Sequence, residues 1–239
     1  INILNKVIVP DDYPEYYNWL NGIDQVEVAS KNISKVEEYF KTSDLIFCLD
    51  FNHRSRVGPL LSTLLSNVDD SKTIIVIDHH TYPENFGDHE IIDPEASSTS
   101  ELIYRLIENN DDLDLVDEKI AEPIYLGIIS DTGSFKYSSV SSSTHKVASH
   151  LISIGLDHTR IHSNIYDQNE ISKINLLGYA LQKIKVDTSS KLAYLALSQK
   201  ELEKFDFKKG DTEGFVNYCL SLKSVEVAAF LREDSNMIK

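Results

Sequence analysis

The sequence predicts an α/β fold, a mostly parallel sheet with flanking helices, followed by a smaller α+β region that is incomplete as it stands. Three observations predict it. Short apolar runs alternate with helical patterns through roughly the first 165 residues, the signature of strands laid side by side and covered by helices. A long amphipathic helix pattern over residues 169–184 then interrupts the alternation. Beyond it come a hairpin pattern, one more helix and a final alternating strand.

Taken in order, the strands are Val7-Ile8-Val9, Val26 to Ala29, Leu45 to Leu49 and Thr73 to Ile77, each expected to lead into a helix. Ile33, Val36, Tyr39 and Phe40 keep helical spacing, as do Leu60, Leu61, Leu64 and Leu65. Ser98-Thr99-Ser100-Glu101 has the form of a capping box ahead of Leu102, Ile103, Leu106 and Ile107, so a helix starts there. Residues 117–129 are helical in pattern despite Pro123, and residues 141–154 form another helix closed by Gly155 as a left-handed cap. In the second region, Ile184 to Val186 and Leu192 to Leu197 flank a turn at Thr188-Ser189-Ser190. A helix near Glu213 to Leu222 and a strand through Val225, Val227, Ala229 and Leu231 follow, and Glu233-Asp234-Ser235-Asn236 reads as the turn of a hairpin seen by half. The only methionine is Met237 and residue 1 is Ile, so the chain is expected to begin downstream of an initiator methionine.

Composition narrows the function. With 38 acidic against 23 basic groups, the formal net charge of −15 repels polyphosphate backbones and argues against long duplex nucleic acid as a partner. A small anionic substrate therefore needs local help such as bound cations. No apolar run approaches the roughly 20 residues that span a bilayer, and the start lacks a basic region followed by an apolar stretch, so no membrane partner is expected. Two cysteines, Cys48 and Cys219, give no disulfide framework and fit the reducing cytoplasm.

Two apolar runs end in an aspartate, Leu45 to Leu49 into Asp50 and Ile74 to Ile77 into Asp78-His79-His80. A third apolar approach, Leu126 to Ser130, delivers Asp131. Ligands of open α/β sheets bind outside the carboxyl ends of the strands, where such acids would stand together. Crowded carboxylates repel one another, so their convergence implies a compensating cation. Aspartate and imidazole without thiolate suit Mn²⁺, Fe²⁺, Co²⁺ or Zn²⁺, and Mn²⁺ or Mg²⁺ where phosphate oxygens complete the shell; Mn²⁺ is the first choice. An Asp at a strand end is by itself commonly a turn or cap residue. Two imidazoles directly after one are harder to explain without partners. His53, His89, His145, His150, His158 and His162 match no ligand spacing, and Asp11-Asp12 read as a turn between Pro10 and Pro14.

Asp78-His79-His80 resembles the tripeptide that names the DHH phosphoesterase superfamily. Further stretches resemble its bacterial bifunctional oligoribonuclease and 3′-phosphoadenosine 5′-phosphate phosphatase branch: Asp50-Phe51-Asn52, Ser55-Arg56-Val57-Gly58, Pro83, Ala96 to Glu101, Asp131-Thr132-Gly133-Ser134-Phe135, Asp211 to Asn217 and Val225 to Ala228. The resemblance implies a phosphoesterase domain over 1–168, a connector helix over 169–184 and, over 185–239, the start of the associated substrate domain. It implies Asp50, His79 and Asp131 as metal ligands, Asp50 bridging two cations. Asp78 would orient an imidazole, His80 would face the phosphate, and both count as catalytic. The resemblance also implies Lys136 as a phosphate contact and the helix headed by Ser98 as a source of backbone N–H groups for an anion.

The implied reaction is two-metal hydrolysis of short RNA to 5′-mononucleotides, extending to 3′-phosphoadenosine 5′-phosphate. A dinucleotide phosphodiesterase or pyrophosphatase on the same fold, or a non-catalytic nucleotide-binding module, are the alternatives. Short RNA or a small nucleotide is the expected partner, with a homodimer compatible. Family members carry a His-Asn-Pro-Asp-Gly-Asp-like motif ahead of the first strand present here and a GGGH-type segment beyond Lys239. Three ligands cannot hold two ions that each want roughly five or six donors, so the upstream motif is expected to supply the rest.

Overall fold

A computed structural model describes residues 4–234 and 237–239, and the chain divides into two units. The first comprises residues 1–13 and 17–164, the second residues 14–16 and 165–239. Ile1 and the expected turn residues Ser235-Asn236 lie outside the described residues.

In the first unit, β1 (Ile8–Val9) and β2 (Glu27–Val28) pair in parallel as one small sheet. β3 (Leu45–Leu49), β4 (Thr73–Asp78) and β5 (His89–Ile92) form a second, fully parallel sheet with β4 in the centre. Both strands are continuous apolar runs, but the central β4 is buried along most of its length while the edge strand β3 buries only Cys48. Burial pushes the Cys48 thiol up to about 12, which leaves it inert. α1 (Ile33–Thr42) buries Val36 beside Leu61 of α2 (Gly58–Ser66), and Leu65 of α2 packs with Cys48, Ile74 and Val76. α3 (Thr99–Asn109) sets Leu102 against Ile77.

Three expectations need correction. Not every strand leads into a helix: only 3₁₀ turns follow β1, and β4 reaches β5 through residues 79–88 without one. That segment is bonded instead to the loop after β3. Glu84 N donates to Asn52 O at 2.8 Å, Asn52 Nδ2 to Thr81 O at 2.8 Å, and the Arg54 guanidinium and amide hold the Glu84 carboxylate at 2.7–2.9 Å. β5 itself carried too short an apolar signal to read. Asp131 does not end a strand; it is the last residue of the helix α4 (Glu118–Asp131), which runs through Pro123. Finally, the capping box before α3 is one-sided. Ser98 Oγ accepts from Glu101 N at 3.1 Å, but the Glu101 carboxylate turns to Ser97, Thr144 and Arg105.

α5 (Ser142–Ser153) has the reciprocal box that α3 lacks, between Ser141 and Thr144, and Gly155 follows it at φ 111°. α6 (His158–His162) completes the helices of this unit. α4 crosses α3 at Gly127, where a Cβ would overlap Ser100 Oγ. Gly127→Ala is expected to cost about 1–3 kcal/mol by overpacking, read as a lower denaturant midpoint at unchanged slope.

The second unit begins its helices with α7 (Ile171–Gln182), whose Leu176 and Ala180 are fully buried. β6 (Lys185–Asp187) and β7 (Leu192–Leu197) make the expected antiparallel hairpin, its turn held by Asp187, which accepts from Ser189 N and from both serine hydroxyls. Those bonds hold the Asp187 carboxyl at about 2. After α8 (Gln199–Glu203) and α9 (Phe215–Leu220), β8 (Val227–Asp234) pairs in parallel with β7, and β9 (Met237–Ile238) returns antiparallel. Leu195, Leu197, Phe215 and Cys219 fill the core beside α7. No helix among the described residues is long and apolar enough to cross a membrane.

Candidate metal centre

The site is built at the carboxyl ends of β3 and β4. Asp50 follows β3 with φ 67°, a left-handed conformation that only a few non-glycine residues adopt, aspartate among the more tolerant. Its amide still bonds Ile77 O at 3.0 Å, so the strand pairing carries this residue to the rim. Asp78 is the last residue of β4 and is fully buried; His79 and His80 come directly after it. Asp131 arrives from the far end of α4.

His79 Nε2 lies 3.6 Å from Asp50 Oδ1 and 3.5 Å from Asp131 Oδ2. Its other nitrogen, Nδ1, faces Ala96 O at 3.3 Å. With Nδ1–H donated to that carbonyl, Nε2 presents its lone pair to two carboxylates. Three acceptors facing one another are repulsive unless a cation lies among them. Separations of 3.5–3.6 Å are long for hydrogen bonds and close to those of ligands sharing an ion at bonds of roughly 2.1 Å. One atom each from Asp50, His79 and His80 also lies within 4.8 Å of the others.

Electrostatics give the same reading. Burial raises the Asp131 carboxyl above the ordinary aspartate range, and the charge of Asp50 raises it further. Asp131 also sits at the C-terminal end of a helix, where the macrodipole disfavours an anion. His80 Nδ1 donates to Asp78 Oδ1 at 2.7 Å, while Asp78 Oδ2 is buried without a hydrogen-bond partner among the described residues. Carboxylate and imidazole donors without thiolate, Asp50 and Asp131 about His79, fit a divalent transition ion.

Thus the structure brings Asp50 and Asp131, distant in the chain, to the consecutive residues Asp78-His79-His80. Ser98 is fully buried, its hydroxyl engaged as the cap of α3, and Lys136 is exposed five residues beyond Asp131 with no ion pair to the cluster. The other histidines have local roles: His150 meets the Tyr104 hydroxyl at 2.7 Å, and His53 Nε2 meets Tyr82 O at 2.9 Å. Sequence reasoning missed Thr99, whose hydroxyl donates to Asp50 Oδ1 at 2.8 Å. Nothing in the local pattern distinguishes it from an ordinary first residue of a helix.

The family model described as the DHH family, N-terminal domain, matches residues 6–128. The chain belongs to the DHH family. Its match covers Asp50 and the Asp78-His79-His80 tripeptide, and Asp131 lies three residues past its end. Among curated relatives, the chain is 25% identical over 251 residues to the bifunctional oligoribonuclease and PAP phosphatase NrnA of Bacillus subtilis, covering 99% of this chain and 79% of that protein. It is 31% identical over 163 residues to the probable bifunctional oligoribonuclease and PAP phosphatase NrnA of Streptococcus mutans, covering 68% of this chain and 51% of that protein. Among solved structures, an exopolyphosphatase-related protein from Bacteroides fragilis superposes with a TM-score of 0.91 at 37% identity, over 98% of this chain and 68% of that one.

Proposed function

We propose that this DHH chain is a divalent-metal-dependent phosphoesterase that hydrolyses short RNA to 5′-mononucleotides and also removes the 3′ phosphate of 3′-phosphoadenosine 5′-phosphate. The observation that carries this reading is the His79 lone pair directed at both Asp50 and Asp131. The printed activities of the Bacillus and Streptococcus relatives support the substrate class. Asp50, His79 and Asp131 are the residues that would hold Mn²⁺, two ions in all, with Asp50 as the ligand the two would share. When bound, such ions polarise the phosphoryl group and stabilise the leaving oxygen.

The chain's own groups do the rest. Asp78 accepts from His80 Nδ1, so Nε2 is the nitrogen left to meet a phosphoryl oxygen. Lys136 is proposed to approach the phosphate from the loop after α4, and the start of α3, capped by Ser98, to direct N–H groups toward it. A net charge of −15 gives no long basic groove, which favours substrates of about two to five nucleotides. Residues 185–239 are proposed as the start of the substrate domain. A cytoplasmic location fits the two buried, free cysteines.

The test is hydrolysis by the full-length protein with Mn²⁺, across short RNA, 3′-phosphoadenosine 5′-phosphate, linear and cyclic dinucleotides and pyrophosphate. Release of 5′-mononucleotides that stops with a chelator is the expected result. Faster turnover of pyrophosphate or a cyclic dinucleotide than of short RNA would replace the substrate assignment.

A further inference from the structure

Thr99 opens α3, yet its hydroxyl is directed away from its own helix. It donates at 2.8 Å to Asp50 Oδ1, on the loop beyond β3. Asp50 needs such a partner. Its backbone is held by the bond to Ile77 O, but its side chain is about half exposed, at 51%, and apart from the Thr99 hydroxyl it faces His79 Nε2 only at 3.6 Å. Thr99 is 6% exposed and has no comparable freedom.

The segment behind Thr99 is tied down on every side. Ser98 Oγ caps Glu101 N. The buried Glu101 carboxylate takes Ser97 N at 3.2 Å, Ser97 Oγ at 2.5 Å, Thr144 Oγ1 at 2.9 Å and Arg105 Nη2 at 2.6 Å. Ala96 O, at the head of the same segment, meets His79 Nδ1. One short stretch, residues 96–101, therefore orients two members of the cluster, one through a backbone carbonyl and the other through a hydroxyl.

We propose that Thr99 is a positioning residue of the metal centre: its hydroxyl fixes the Asp50 carboxylate so that the remaining lone pairs face the space shared with His79 and Asp131. This inference rests on the metal-centre reading above. A hydroxyl that merely tied α3 to the loop after β3 would affect stability and leave ion affinity alone. Partners of ligands are worth about 10- to 100-fold in metal affinity.

The experiment is calorimetric titration of the full chain with Mn²⁺, read beside the thermal midpoint of the metal-free protein, for wild type, Thr99→Val, Thr99→Ala, Thr99→Ser and Asp50→Asn. Thr99→Val is isosteric without the donor and is expected to weaken Mn²⁺ binding about tenfold, whereas Thr99→Ser stays within about threefold of wild type. Thr99→Ala removes the same donor and serves if the valine variant does not fold. Two results overturn the inference while the metal centre stands: Mn²⁺ bound as by wild type in both hydroxyl-free variants while Asp50→Asn loses it, or a serine variant as weak as valine. Equal Mn²⁺ binding by wild type and Asp50→Asn overturns the metal centre and the inference together.

Discussion

Asp50→Asn is expected to lower metal-dependent kcat/KM by about a thousandfold or more, because on the proposed function several kcal/mol of charge stabilisation at the phosphoryl group would depend on ions held by this carboxylate. Asparagine is the informative replacement. Its amide oxygen still accepts from the Thr99 hydroxyl, as Asp50 Oδ1 does at 2.8 Å, so the loop after β3 keeps its anchor. What disappears is one negative charge facing His79 and Asp131. The metal-free variant is expected to be as stable as wild type or more so. The sign follows from Asp131, whose raised carboxyl binds a proton more tightly when folded, so that its contribution to stability falls as pH rises through that range. Removing the Asp50 charge relieves part of that penalty at neutral pH. The checks are steady-state kinetics across Mn²⁺ concentration and the thermal midpoint without metal. Retained turnover, or loss of activity explained by unfolding, would remove Asp50 from the ligand set.

Glu101→Ala is expected to cost about 3–5 kcal/mol of stability, which is a large share of the roughly 5–15 kcal/mol that holds a typical domain folded. The carboxylate is fully buried and receives Ser97, Thr144 and Arg105; without it four donors from these three residues, one of them charged, lose their acceptor. Burial alone pushes this carboxyl up, but the hydrogen bonds from Ser97, Thr144 and Arg105 outweigh it and hold it below the ordinary glutamate value of 4.5. Its contribution is therefore complete above that value and is lost as pH falls through the lower folded one. The difference between the two proteins in denaturant unfolding should be largest at pH 7 and narrow as pH falls below about 4.5. A constant difference across that range would mean that packing, not the charge, accounts for the loss.

How much of this was legible beforehand depended on the range of the forces involved. Thr73 to Ile77 read correctly as a strand because a buried central parallel strand must be apolar along its length, and Leu45 to Leu49 read so from its apolar run although it lies at the sheet edge and buries only Cys48. The helices over 33–42, 58–66 and 171–182 were visible in their spacing, and Asp78-His79-His80 stood out because two imidazoles after a buried strand need partners. β5 was missed because His89-Glu90-Ile91-Ile92 is too short to show a period, and its parallel pairing with β4 is set by contacts across the sheet. The helical C-terminus that carries Asp131 was half legible: its pattern was helical, yet its apolar end resembled the strands that deliver Asp50 and Asp78. Glu101 was read as half of a capping box, and only the approach of Thr144 and Arg105 showed where its charge goes.

By itself the sequence determined the α/β class, the acids and imidazoles available for a metal, and the acidic surface that disfavours long nucleic acid, because periodicity, residue type and net charge are properties of the chain before it folds. Only the tertiary structure decided that His79 Nε2 faces Asp50 and Asp131 together and that the Thr99 hydroxyl donates to Asp50 Oδ1. Those relations join residues tens of positions apart, and distances of a few ångströms between such groups are fixed by strand pairing and helix crossing, for which no local pattern stands in.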